Sequence, residues 1–190
     1  MKNLFALFIC LFTAIGLSAQ SSTNSSEHLK FMGIPLTGTI SQFHSKILAK
    51  GCKVSKYNSA IATGTRAYNG TFLGSKALIY VYYNAKTKIV YRAKVVYSNL
   101  SAEIAEQQYY TIKSKLTQRY IDYATDEHEG HESTSCYAFK PNEDVRLGRI
   151  DLFVSLDTPY LSILSDRHIF IDYWDKINTE KNNLSDLDEL

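Results

Sequence analysis

The densest collection of chemically capable side chains in this 190-residue chain is DEHEGHE, residues 126–132. His128 and His131, with Asp126, Glu127, Glu129 and Glu132 beside them, are ligand types that can gather a divalent cation. A metal-assisted hydrolase is the chemistry such a set would serve. The spacing is not H-E-x-x-H, however, and nothing in it forces the ligands onto one helix face. A segment this charged is usually just a solvated loop. Nucleophilic signatures are absent: the chain has no G-x-S-x-G, no S-x-x-K and no C-x-x-C. Phosphate-cradling patterns such as G-x-G-x-x-G or G-x-x-x-x-G-K are also missing. No cofactor is implied and no catalytic residue can be named. The weight of the sequence is against an enzyme without deciding the matter.

Three other features could serve a site. His44 follows Phe43 in an apolar stripe; it reads as a buried base or, more simply, as a histidine wedged between helix and sheet with one nitrogen bonded to backbone. The chain holds 14 tyrosines. Exposed tyrosines offer amphipathic, low-entropy contact area, although tyrosine also simply fills strands. In ALIYVYY, Tyr80 and Tyr82 share one side if Tyr83 points to a covered one. Arg92 and Lys94 on the next strand would flank them. These four are the candidate binding residues.

The start, MKNLFALFICLFTAIGLSAQ, has the form of a secretory leader: Lys2, an apolar run from Leu4 to Leu17, then Ser18-Ala19-Gln20. The run is shorter than the ~20 residues of a membrane span, and Cys10 within it lacks the context of a lipid-attachment site. Residues 1–19 are therefore expected to be a signal peptide, 20–26 a flexible leader, 27–182 a single domain and 183–190 an acidic C-terminal tail. The mature chain, with no transmembrane segment, is expected in the periplasm or outside the cell. Net charge is +2 overall, and no basic patch is visible, which argues against nucleic acid. Export leaves two readings open for Cys52 and Cys136: a disulfide, worth about 4–5 kcal/mol for so long a loop if unstrained, or two buried free thiols.

The elements that must position these residues are legible in outline. In GIPLTGTISQFHSKILAKG, Thr39 and Gln42 form a capping box. Ile40, Phe43, Ile47 and Leu48 follow at helical spacing, and Gly51 closes the helix. Pro35 and Gly38 turn the chain out of the extended HLKFM. Short strands are predicted at CKVSKY and AIATGTRAY, with a hairpin turn at Asn69-Gly70. ALIYVYY and KIVYRAKVVY alternate as strands joined by a loop at residues 84–88. A second helix spans SAEIAEQQYYTIKSKLTQRY, capped by Ser101, with Ile104, Tyr109, Ile112, Leu116 and Tyr120 as its stripe. A polar loop, DEHEGHESTS, leads to strands CYAFK, RIDLFVSL, YLSILS and HIFIDYW. Trp174 reads as packing, and LSDLDEL as a fraying terminal turn. The order is a helix and four strands, twice over. Short hairpins make the sheet antiparallel. The fold class is thus α+β: an antiparallel sheet with two amphipathic helices on one face, in a duplicated helix-plus-four-strand order.

The motifs HLKFMGIPLTGTISQFHSKILAKG, GTFLG and YWDKIN resemble those of a group of small exported proteins of unknown function from Gram-negative anaerobic bacteria. The likeness covers most of the mature chain, with its motifs at Gly33 to Thr39, Gly70 to Gly74, and Tyr173 to Asn178. It implies turns, a cap and a terminal corner rather than an activity. The helix-plus-sheet duplication is similar to the β-lactamase-inhibitor-protein architecture, which implies a fold and no function. Taken together, the sequence points to an exported, non-catalytic binding module of the envelope or exterior, using the free sheet face against a protein or glycan. A metal-assisted hydrolase at His128 and His131, or a structural envelope component, are the alternatives.

Overall fold

The computed structural model describes residues 27–56, 58, 61–120, 122–128, 131–141, 143–156 and 167–187, without the side chains of 122–132, 156 and 185–187. The expected signal peptide, the leader and the predicted strand YLSILS lie outside the described residues. The chain opens with a hairpin of β1 (Lys30–Phe31) and β2 (Ile34–Pro35). It turns at Met32 and Gly33, both at positive φ. Helix α1 (Ile40–Ala49) follows, and then β3 (Lys53–Val54), β4 (Thr65–Phe72), β5 (Ser75–Tyr83) and β6 (Val90–Leu100). Helix α2 (Ala102–Arg119) begins the second unit, with β7 (Asp122–His128), β8 (His131–Phe139), β9 (Arg146–Leu156) and β10 (Arg167–Asp175); α3 (Lys176–Leu187) ends it.

The eight strands β3 to β10 form one antiparallel sheet in the order β3-β4-β5-β6-β10-β9-β8-β7. Each helix-plus-four-strand unit is a meander that runs inward from its own edge. The last strands of the two units, β6 and β10, pair at the centre. The fold is therefore α+β with the expected duplicated order.

Alternation decides which side is buried. Ile79 and Val81 of β5, Ala93 and Val95 of β6, Ile169 and Ile171 of β10, and Ile150 and Leu152 of β9 are all buried. Over them lie Ile40, Phe43 and Ile47 of α1, and Ala105, Tyr109, Ile112 and Leu116 of α2, in one continuous core. The β1–β2 hairpin joins the same layer, with the Phe31 ring stacked on Phe72 at 5.4 Å and edge-on to Tyr173 at 5.2 Å. The caps form as the spacing requires: Gln42 N–H donates to Thr39 Oγ1 at 3.3 Å, Thr39 N–H donates to Gln42 Oε1 at 2.9 Å, and Ser101 Oγ accepts from Ile104 N–H at 3.4 Å.

Several details depart from the sequence reading. Leu48 and Ile104 are exposed; Ala105 takes the buried position on α2 instead. The turn after β4 falls at Leu73-Gly74, both at positive φ, and Asn69-Gly70 lies within the strand. Gly70 is there for space: a Cβ would come within 2.6 Å of Cys52 Sγ. The register shifts between Tyr82 and Tyr83, so Val90 rather than Tyr91 enters the core. DEHEGHESTS is no loop. Residues 126–128 and 131–135 lie in the paired strands β7 and β8, with β7 at the sheet edge. Finally, α3 begins at Lys176, directly after β10, and runs across the expected boundary at 182/183.

Asp175 organises that last corner. Its buried carboxylate accepts from Asn178 N–H at 2.9 Å, capping α3, from Leu29 N–H at 2.9 Å, and from His28 Nδ1 at 3.0 Å. Asn178 donates its amide to Leu36 O at 2.9 Å and Val90 O at 3.2 Å. One Asp-x-x-Asn step thus ties β10, α3, β6 and the N-terminal hairpin together.

Candidate functional site: the open face of the sheet

Side chains opposite the core face are half-buried over most of the sheet. Direct cross-strand partners share a face, so the register arranges this surface in rows. One row reads Tyr82, Arg92, Trp174, Arg149, Tyr137 across β5, β6, β10, β9 and β8. Aromatic and guanidinium groups alternate along it. Arg92 is held between rings, its guanidinium carbon 4.4 Å from the Tyr82 centroid and 3.7 Å from that of Trp174. Such contacts are attractive because a cation meets the negative face of the ring.

The next row reads Tyr80, Lys94, Asp172, Asp151, Ser135. Two carboxylates face each other in it, and each is separately neutralised. Arg92 grips Asp172 through both Nε, at 2.7 Å, and Nη2, while Lys94 Nζ sits 3.3 Å away. Asp151 accepts from Ser135 Oγ at 2.6 Å and Arg149 Nε at 3.0 Å. A third, apolar row follows, with Leu78, Val96, Phe170 and Phe153; the two phenyl rings stack at 4.8 Å. Lys94 Nζ lies 5.5 Å and 5.7 Å from their centroids.

Burial disfavours the Arg92 cation, but the hydrogen bonds and charge of Asp172 outweigh it and raise the guanidinium pKa above its usual value. The Tyr82 phenol is raised by burial, against the lowering influence of Arg92. Both groups therefore keep their neutral-pH charge states. The tyrosine, tryptophan and arginine groups of this face offer stacking surfaces and hydrogen-bond donors and acceptors.

Tyr80, Tyr82, Arg92 and Lys94 lie together on this face, on neighbouring strands. Asp172, Arg149, Tyr137, Phe153 and Phe170, which complete the rows, were not singled out in the sequence, and Trp174 was read there as packing. Their parity was readable in CYAFK, RIDLFVSL and HIFIDYW. Their adjacency to β6 was not, because it depends on the central β6–β10 pairing.

The remaining candidates separate. His44 Nδ1 is 3.0 Å from Tyr68 Oη, a bond to a side chain of β4 rather than to backbone. His128 and His131 are cross-strand partners in the β7–β8 hairpin, but their side chains lie outside the described residues. Among the described residues, no group of three or more His, Cys, Asp or Glu side chains could hold a metal ion. The pairing of Cys52 with Cys136 is not made: both thiols are free and buried. Cys52 packs over Gly70 of β4 and Cys136 belongs to β8, five strand spacings away. At ~4.8 Å per spacing this is about 24 Å, against the roughly 7 Å between Cα atoms that a disulfide tolerates. Among the described residues no helix is long and apolar enough to cross a membrane.

Compared with known proteins, the chain matches no family, no curated sequence and no solved structure.

Proposed function

We propose that this chain is an exported, non-catalytic interaction module that meets a protein or glycan through the open face of its sheet. The observation that carries the reading is the five-strand row Tyr82-Arg92-Trp174-Arg149-Tyr137. Tyrosine, tryptophan and arginine are the residue types that dominate contact energies at interfaces. Here they stand on a sheet, with Arg92 and Arg149 pre-oriented by their ion pairs to Asp172 and Asp151, so less side-chain entropy remains to be lost on docking. The leader-like N-terminus and the likeness to small exported proteins support the envelope or exterior as the place of action.

The test compares the wild-type chain with a Tyr80→Ala/Tyr82→Ala variant as bait in envelope extract and on a glycan array, after matching their circular dichroism. Capture of a defined ligand by the wild type and its loss in the variant is the expected result. Equal capture by both would remove this face from the proposal. Export is checked separately by N-terminal sequencing of the chain from the envelope fraction, which is expected to begin near Gln20.

A further inference from the structure

We infer that the cleft between the first turns of α3 and β9 is a binding site for the oxyanion group, carboxylate or phosphate, of a small molecule. The cleft has a volume of about 350 Å³ and is lined by Arg146, Arg149, Trp174, Lys176, Thr179 and Glu180, among others. Three of these six are cations and one is a carboxylate. Asp175 also borders the cleft, but its oxygens are occupied by Leu29, Asn178 and His28. Arg149 spends Nε on Asp151, which leaves the outer nitrogens of its fork for another acceptor. Arg146 is exposed and braced over the Tyr137 ring at 4.1 Å, and Lys176 is exposed.

An independent observation points to the same place. Trp174 Nε1 and Thr179 Oγ1 are the two buried side-chain polar atoms without a hydrogen-bond partner among the described residues. Both residues line this cleft. Indole N–H is a donor only, and a hydroxyl can donate. Buried polar groups ordinarily find partners; both atoms belong to the cleft wall but have almost no accessible surface, and a small side-chain shift toward an acceptor-only ligand ringed by cations would give them one. Charge-assisted bonds from arginine and lysine would supply most of the affinity, and the two neutral donors would fix orientation. The inference goes beyond the proposed docking face, because it needs no macromolecular partner and uses none of Tyr80, Tyr82 or Lys94.

The chain's single tryptophan makes the test direct. Inorganic phosphate, sulfate and citrate are titrated at constant ionic strength, with chloride as control, following Trp174 emission and the one indole N–H resonance. At least one oxyanion is expected to give a saturable change with a downfield move of the indole proton. A preference for phosphate and sulfate, or for citrate, distinguishes the tetrahedral from the carboxylate ligand. The Arg146→Ala/Lys176→Ala variant, altered only at exposed positions, should bind about tenfold or more weakly. Thr179→Val should weaken binding while the fold is kept, and Tyr80→Ala/Tyr82→Ala should bind as wild type. No saturation by about 10 mM with any oxyanion, or an unchanged response in the Arg146→Ala/Lys176→Ala variant, overturns the inference while leaving the docking face standing.

Discussion

The guanidinium carbon of Arg92 lies over the Trp174 ring, 3.7 Å from its centroid, while Arg92 Nε donates to Asp172. Asp172 therefore stands at the hub of the open face, only 4 % exposed and shared between Arg92 and Lys94. Removing one partner of a buried pair costs more than the pair contributes, because the other charge is stranded. The two sides are unequal here. Without Arg92, the carboxylate keeps Lys94 at 3.3 Å; without Asp172, two cations face each other. Asp172→Asn should cost about 3–5 kcal/mol and Arg92→Gln about 1–3 kcal/mol. Urea denaturation measures both, and a smaller loss for Asp172→Asn than for Arg92→Gln would contradict the arrangement.

That hub also shows what a sequence can and cannot carry. Periodicity marks Asp172 and Trp174 as sharing a side of HIFIDYW, and Arg92 and Lys94 as sharing a side of KIVYRAKVVY. Local patterns of this kind located both main helices and the caps at Thr39 and Ser101, but the four strands of the second unit include β7, read from sequence as a loop, while the predicted strand YLSILS lies outside the described residues. Nothing local states that β6 pairs with β10, which lies 77 positions further along between first residues and in the other unit. The site is built on that pairing, so only half of it was legible. Charge misled at DEHEGHESTS, because an edge strand and a solvated loop share a composition.

Gly70 misled in a different way: Asn-Gly usually means a turn, and here the glycine makes room for a sulfur. Gly70→Ala should cost about 1–3 kcal/mol through overpacking, since its Cβ would meet Cys52 Sγ at 2.6 Å. Removing that sulfur removes the nearest contact and leaves Ile79 Cδ1 at 3.2 Å. In Gly70→Ala/Cys52→Ala the combined loss should be smaller than the sum of the single losses, a coupling of about 0.5–3 kcal/mol. Strictly additive losses in thermal denaturation would show that the sulfur is not the obstacle.

Both thiols should be silent in the native protein. Burial raises the Cys136 pKa to about 11, helped by the charge of Asp151, and burial likewise raises that of Cys52. Thiolate is the reactive form, so at pH 8 a disulfide-exchange reagent should label neither residue faster than the chain unfolds. Both should react at once in denaturant. With no bond to reduce, unfolding curves with and without reductant should coincide; a destabilisation by reductant would reveal a bridge.

Asp175 gives a pH dependence whose sign follows from its burial. Burial raises its carboxyl above the usual 3.8, and the hydrogen bonds from Asn178, His28 and Leu29 only partly offset this. The folded state thus binds the proton more tightly than the unfolded chain. The resulting stabilisation is complete below pH 3.8 and fades as pH rises through the folded-state value. Asp175→Asn cannot titrate and so carries none of this pH dependence. The wild-type advantage over Asp175→Asn should therefore be largest near pH 3.5 and shrink as pH increases. Denaturant melts of both proteins at stepped pH measure it. An advantage that grows with pH would mean that the three donors hold the carboxylate ionised against its burial.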